Sequence, residues 1–415
     1  MMAELSNSME VPLRTHIHLT RRAAAVTGIA AALIAAAAAP ALAAAGARQF
    51  PGADATPAGT FHDQLFGVAA SSRSSAWAVG VYGTVQRNLI EHWNGRSWSA
   101  VANPSPGGTH GGFLNAVAAV SSSNAWAVGA YGNGSEQKTL IEHWNGRSWK
   151  QVPSPSPGGT HDSFLFGVTA LSASSAWAVG GYLNGLAEQT LIEHWNGRSW
   201  KRVASPDPSG TGMVNDLESV TATSPSNAWA VGYYDVNGTS VSRTLVEHWN
   251  GRSWKTMASP SPAGGAVNAF YGVAAASSTS AWAAGDYFNG VTDQVLLTHW
   301  NGSSWKRVKA PNPGGTNGLS AFGGVAAVSR SSVWVDGQYF NGGPSRTLIE
   351  HLNGRSWKQA PTPNPGGSGS FLFALGAVSA SNAWAVGDYR SGSADLTLIL
   401  HWNGKAWRRV ASPNR

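Results

Sequence analysis

The residues of this chain best suited to chemistry are seven histidines in one recurring context: His92, His143, His194, His248, His299, His351 and His401. Five of them follow a glutamate, namely Glu91, Glu142, Glu193, Glu247 and Glu350. An imidazole beside a carboxylate is the material of a metal site or an acid–base pair. The spacing argues against both. Copies lie roughly fifty residues apart, one per repeat, and if the segment is a strand, neighbouring Glu and His face opposite ways. No lipase-type G-x-S-x-G, H-E-x-x-H, P-loop or dinucleotide fingerprint occurs. The chain has no cysteine, which removes disulfides, thiolate metal sites and thiol catalysis. The sequence therefore predicts no catalytic residue, no metal and no cofactor.

What positions these histidines is a repeat written in tryptophan. All 20 tryptophans fall on three registers. The first is Trp77, Trp126, Trp177, Trp229, Trp282, Trp334 and Trp384. The second and third flank an Asn-Gly turn, as in Trp93 and Trp98, with Trp357 alone in repeat six, where Leu352 stands in the empty slot. Each unit parses into four β segments with no helical period after the leader. In repeat three these are strand a (167–171), strand b (176–180), strand c (190–195) and strand d (199–204). The Asn-Gly between c and d, from Asn94-Gly95 to Asn403-Gly404, reads as a tight hairpin with positive φ at both residues. A second Asn-Gly recurs between b and c at Asn133, Asn184, Asn237, Asn289 and Asn341.

The predicted fold is all-β: a seven-bladed β-propeller with four antiparallel strands per blade, preceded by a signal peptide. The expected divisions are a signal peptide at 1–43, a linker at 44–60 and the propeller at 61–415. Its repeats run about 61–110, 111–160, 161–210, 211–265, 266–315, 316–367 and 368–415. Indoles suit the wedge between blades, which widens outward from the axis. A glycine three residues after the first tryptophan and a tyrosine five after it, such as Gly80 and Tyr82, read as strand exit and blade packing. Strand c is third from the axis, so with strands about 4.8 Å apart the histidines lie on the order of 15 Å off centre and cannot converge. Their expected role is hydrogen bonding between blades. Whether blades coincide with repeats or are offset, so that residues 61–71 complete the last sheet, is open in the sequence.

The pattern AWAVG, a gap, then LIEHWNGRSW resembles the kelch-type and photosystem II assembly factor-type propeller repeats. It is still more similar to the tryptophan-rich repeats of secreted actinobacterial proteins. The resemblance covers essentially the whole chain after the leader and implies the propeller fold and export. Departures limit it: the kelch double glycine occurs only at Gly180-Gly181, and the sialidase Asp-box is absent. Copper chemistry of the galactose oxidase kind needs a cysteine–tyrosine link that this chain cannot make.

Residues 1–43 carry Arg14, Arg21 and Arg22, an alanine-rich run from Ala23 to Ala39, and then Ala41-Leu42-Ala43. This is the pattern of a cleavable secretory signal. The arginine pair leaves the twin-arginine route open beside the general one. The mature chain is expected outside the cell or loosely on its wall, as a monomer, with no transmembrane segment after cleavage. The formal charge of +7 is concentrated around the third tryptophan, for instance at Arg96, Arg147, Lys150, Arg198, Lys201 and Arg202. One reading is a cationic belt for an anionic wall polymer or nucleic acid; the preferred one is protection of the exposed edge strand. No nucleic-acid partner is expected.

Strand direction sorts the loops. The b–c and d–a connections share one face and vary between copies, while the other face carries near-identical NGRS turns. Recognition is therefore expected on the variable face, around the mouth of a central channel. Two registers there change from blade to blade. Eleven residues before the first tryptophan stand Phe66, Asn115, Phe166, Glu218, Tyr271, Gly323 and Phe373; four after it stand Val81, Ala130, Gly181, Tyr233, Asp286, Gln338 and Asp388. From these, Phe66, Asn115, Phe166, Glu218, Tyr271, Phe373, Tyr233, Asp286, Gln338 and Asp388 form the candidate ligand-binding set. Mixed aromatics, carboxylates and amides suit sugar rings or peptide side chains, so the partner is expected to be a cell-wall glycan or an extracellular protein. Two alternatives stand: an extracellular carbohydrate-active or lyase-type enzyme at the channel mouth, and a purely structural surface protein. Asp336 and Leu352 mark repeat six as either a local pocket or a decayed copy.

Overall fold

The computed structural model describes residues 62–415 apart from 211–212, 237–238, 240 and 263–266. The expected signal peptide at 1–43, the expected linker at 44–60 and Asn237 lie outside the described residues. Seven four-stranded sheets follow one another, each built from consecutive antiparallel strands. In the first blade strand a is Gln64–Ser72, b Ser75–Tyr82, c Arg87–Trp93 and d Trp98–Ala100. In the third they are Ser163–Ser172, Ser175–Asn184, Ala187–Trp195 and Trp200–Val203. Strands a, b and c thus reach further toward the variable face than the hydrophobic pattern indicated. The alternation there is broken by polar and glycine residues, although the ladder continues.

The blades are locked by indole contacts that run from each blade to the next. Trp77 lies 4.9 Å from Trp144 and 5.0 Å from Trp149 of blade two, the latter edge-on at 87°. Trp126, Trp177, Trp229 and Trp334 repeat the arrangement on blades three, four, five and seven, with centroid distances of 4.9 to 5.4 Å. Trp384 of the last blade meets Trp93 and Trp98 of the first, both at 5.1 Å. The cycle is therefore closed. Only the contact from blade five to blade six is reduced: Trp282 meets Trp357 at 5.3 Å, and Leu352 packs where the other indole would stand.

Blades coincide with repeats, which settles the phase. Closure uses the apolar contact between blades seven and one, with Leu65, Val68, Leu89, Trp98, Trp384 and Ile399 in one buried cluster. A single parallel bridge, His62 to Asp395, adds to it. Equivalent bridges join Glu188 to Val214 and Ser345 to Gly369 inside the array, so the seam resembles the other joints.

The turn between c and d corrects one expectation. It is a four-residue loop in which only glycine takes positive φ, +92° at Gly95. Asn94 supplies a cap instead: its Oδ1 accepts the backbone N–H of Arg96 at 2.9 Å and of Ser97 at 3.0 Å. Asn is chosen for this side-chain acceptor.

If the ring is closed by equivalent joints, Trp384→Ala and Trp126→Ala should each cost about 3–5 kcal/mol of unfolding free energy. Chemical denaturation of the two variants checks this. A mild effect at Trp384 beside a severe one at Trp126 would mean that the seam carries little.

Candidate functional site

The candidate site grows from a defect repeated in every blade. In blade one Leu65 pairs with Gly80 and Gly67 with Val79, leaving Phe66 as the extra residue of a β-bulge. The same shift isolates Asn115, Phe166, Glu218, Tyr271, Gly323 and Phe373 in the other six strands a. A bulge re-aims its extra side chain. It also explains the glycine after the first tryptophan: a Cβ on Gly80 would sit 1.9 Å from the carbonyl oxygen of Gln64, and its six counterparts meet the same obstacle at 2.0 or 2.1 Å. That glycine is a requirement of the bulge rather than a strand exit.

All seven bulged residues line one axial cavity of about 110 Å³, with strand a of every blade contributing. The first predicted register is thereby brought together, but in strands and buried: Phe66 is 1%, Tyr271 3% and Asn115 6% exposed. Asn115 Nδ2 donates to the carbonyl of Leu165 at 2.9 Å, tying blade two to blade three. The second register, on strand b, is buried as well, at Val81, Ala130, Tyr233, Asp286, Gln338 and Asp388. It faces across the pairing to Gln64, Phe113, Phe164, Asp216, Ala269, Ala321 and Phe371. This third variable register escaped sequence reasoning. Its signal was present, since it changes between copies while the next residue stays Leu or Phe.

The axial region is two-sided. Phe66, Val81, Phe113, Ala130, Phe164, Phe166 and Phe373 form one apolar cluster, with Phe66 and Phe373 5.8 Å apart. Across from it, in blades four to six, lie Asp216, Glu218, Tyr233, Tyr271, Asp286 and Gln338, while Asp388 stands beside the cluster, paired with Phe371. Tyr271 donates from its hydroxyl to Asp286 Oδ1 at 3.5 Å. Burial, with Asp286, Glu218 and Tyr233 adding, pushes the Tyr271 phenol well above its ordinary range. Burial likewise raises Asp388 well above the usual carboxylate range, Asp395 reinforcing this and Arg390 and Gln64 opposing it. Such groups, held neutral, act as directional hydrogen-bond donors and acceptors.

The repeated Glu and His separate as strand geometry requires, with different partners. His92 Nε2 meets Ser75 Oγ of its own blade at 3.2 Å, and its ring lies 4.2 Å from Trp77. Counterparts bond Asn227, Ser280, Ser332 and Asn382. The histidine contact is thus within a blade, where bonding between blades was expected. The glutamates do face the preceding blade and are 0% exposed. Glu142 accepts from Asn88 Nδ2 at 3.0 Å, and Glu247 from Ser205 Oγ at 3.0 Å. Burial pushes both up to about 8 and Glu350 up to about 9; it lowers every one of the seven histidines. Among the described residues, no three His, Asp or Glu gather as metal ligands.

In repeat six Asp336 is 0% exposed and accepts the backbone N–H of Gly324 at 2.8 Å. A Cβ on Gly324 would stand 2.5 Å from that oxygen, so the glycine makes room for the carboxylate. At the rim of the variable face, the b–c loops carry every large apolar side chain that is exposed among the described residues. These are Val85, Leu186, Val291 and Phe340, with Leu186 97% exposed.

No family model matches the chain, and no curated protein matches it in sequence. Among solved structures it is similar to the GH74 xyloglucanase from Xanthomonas campestris, with a TM-score of 0.54 and 15% identity over 84% of this chain. It spans 52% of that enzyme, about half its length. It is also similar to YCF48 bound to D1 peptide, at TM-score 0.48 and 14% identity over 82% of this chain and 96% of the other. A polysaccharide lyase, the PL25 ulvan lyase, aligns at TM-score 0.39 and 11% identity over 85% and 86% of the two chains. At these identities the likeness is one of fold.

The glutamates make stability fall with pH. Unfolded glutamate ionises near 4.5, whereas folded Glu350 keeps its proton to about 9. Between those values the folded state binds one more proton, so its contribution is complete below pH 4.5 and lost as pH rises through 9. Glu350→Gln should therefore flatten the fall in unfolding free energy between pH 5 and 8 by about 1.4 kcal/mol per pH unit. The histidines act oppositely, below their ordinary range. Denaturant titrations across pH check the slope; an unchanged slope would show that Glu350 ionises normally.

Proposed function

We propose that the chain is an exported, monomeric, non-enzymatic propeller that binds a cell-wall glycan or an extracellular protein on the face carrying the b–c and d–a loops. The observation that carries this reading is the gathering of Val85, Leu186, Val291 and Phe340 on the loop tips of that one face. Exposed apolar side chains at blade tips cost solubility and contribute nothing to the core, and they rim the end of the disk where the blade-specific registers converge. The buried bulge residues then shape the floor of the site, while the loop tips make first contact. A second reading, an extracellular carbohydrate-active or lyase-type enzyme, draws on the closeness of Tyr271, Asp286 and Glu218 near the axis.

Because Phe166, Tyr271 and Phe373 are buried, alanine there would confound binding with stability. The cleaner variant combines Leu186→Ser, Val291→Ser and Phe340→Ser. On glycan arrays, wall pull-downs and surface-protein pull-downs, it should lose about tenfold in affinity, about 1.4 kcal/mol, with an unchanged melting temperature. Full binding by this variant would reject the face. Turnover in a glycosidase and lyase screen that Tyr271→Phe abolishes would favour the enzyme.

A further inference from the structure

The opposite face of the disk carries charge of one sign only. Six of the seven c–d turns present a cation at the same place: Arg96, Arg147, Arg198, Arg252, Arg355 and Lys405, all exposed. The fifth turn has Ser303, and there Arg330 from the a–b turn of the next blade reaches across to Ser277 and Thr279 of blade five. The a–b and c–d turns lie on one face, because a Cβ on Gly95 would meet the Cβ of Ser74 at 3.1 Å. None of these turns contains Asp or Glu. Ion pairs seen among the described residues, such as His62–Asp395, Lys138–Glu136 and Arg390–Asp395, do not involve the turn cations.

Two ordinary explanations do not reach these residues. Lysine and arginine on strand d protect an exposed ladder edge, but a turn has no ladder edge to protect. Solubility asks for net charge, yet a mixture of signs would serve it at least as well. The turns are also held in place. In each, the asparagine Oδ1 accepts two backbone N–H groups, at 2.9 to 3.4 Å, one from the residue that bears the cation. A ring of like charges on fixed backbone repels itself, and a bound polyanion relieves that repulsion while releasing its own counterions.

We propose that this face binds a linear polyanion with a phosphodiester in every repeat and no bases, of the polyol-phosphate kind found in cell walls. The cyclic repetition of single cations at one register matches a polymer of evenly repeated charge. Nucleic acid is disfavoured by the aromatics: the indoles beside the turns are already engaged. Trp93 lies 5.1 Å from Trp384 and 6.0 Å from Trp98, and its Nε1 donates to the Arg73 carbonyl at 3.1 Å. These contacts leave Trp93 half-buried and fixed in orientation, which reduces the ring surface it can offer to a stacking base. The proposal stands apart from the reading of the loop face, since it uses the other side of the disk.

The test is titration of the folded, full-length propeller with synthetic poly(glycerol phosphate) between 50 and 300 mM NaCl. Arg96→Gln, Arg198→Gln and Arg355→Gln combined should weaken binding at least about tenfold at low salt. The same variant should reduce the salt slope by about two. Glutamine preserves the turn, whose cap uses backbone N–H groups, and the charge-conserving Arg→Lys triple should bind nearly as the parent does. The loop-face triple at Leu186, Val291 and Phe340 should bind the polymer normally. An unchanged slope in the glutamine triple would overturn the proposal, leaving only diffuse attraction to a basic protein. So would single-stranded DNA of equal charge binding tenfold more tightly than the polyol phosphate.

Discussion

The packing of one indole from each blade against the outer strands of the next is the constraint on which the rest depends. A four-stranded sheet of this size cannot bury both faces alone. Here each blade hands Trp77 or its counterpart to its neighbour and receives the same in return, until Trp384 returns to blade one. Edge-on and tilted geometry places the electron-poor rim of one ring near the face of another, worth about 0.5–1.5 kcal/mol per pair beyond area burial. The closed cycle means that no blade has an unpaired face. Leu352 weakens a single joint, and the ring tolerates it because Trp282 retains Trp357.

That outer lock frees the inner strands to be irregular. Seven bulges at the same depth turn one residue per blade toward the axis, a side chain in six of them and Gly323 in blade six, and the glycine opposite each bulge lets the two backbones approach. The architecture is thus uniform at the rim and individual at the centre. Phenylalanines close the axis on one side, while acids, tyrosines and amides collect on the other. Between these two zones two strand c glutamates, Glu142 and Glu247, accept hydrogen bonds from the preceding blade, and burial raises the pKa of both. The two faces of the disk diverge in the same way: loops with blade-specific apolar tips on one, copied cationic turns on the other.

The number of blades, the four strands of each and the identity of the packing residues were legible because indoles at three registers leave few architectures open. The facing of Glu away from His followed from strand alternation alone. The bulge was not legible as such. It appears only when Leu65 and Gly67 are seen to pair with consecutive residues, although a glycine inside each strand b was its sign. For the same reason the register of Phe66 was placed in a loop at the channel mouth, when it is a buried strand position. Repeat phase was also hidden, since a cyclic pattern looks alike in every frame; the pairing of Gln64–Ser72 with the three strands that follow it in one sheet is what decides it. The Asn-Gly turns were placed correctly but for a different cause, the side-chain cap of asparagine rather than a second positive φ.

The most direct test of the closed ring uses the absence of native cysteine. His62→Cys combined with Asp395→Cys places one thiol on each side of the seam. Mild oxidation should give a near-quantitative disulfide within single chains, with a raised melting temperature and loss of the link upon prior unfolding. Free thiols, or links formed only between chains, would mean that the first and last blades do not meet.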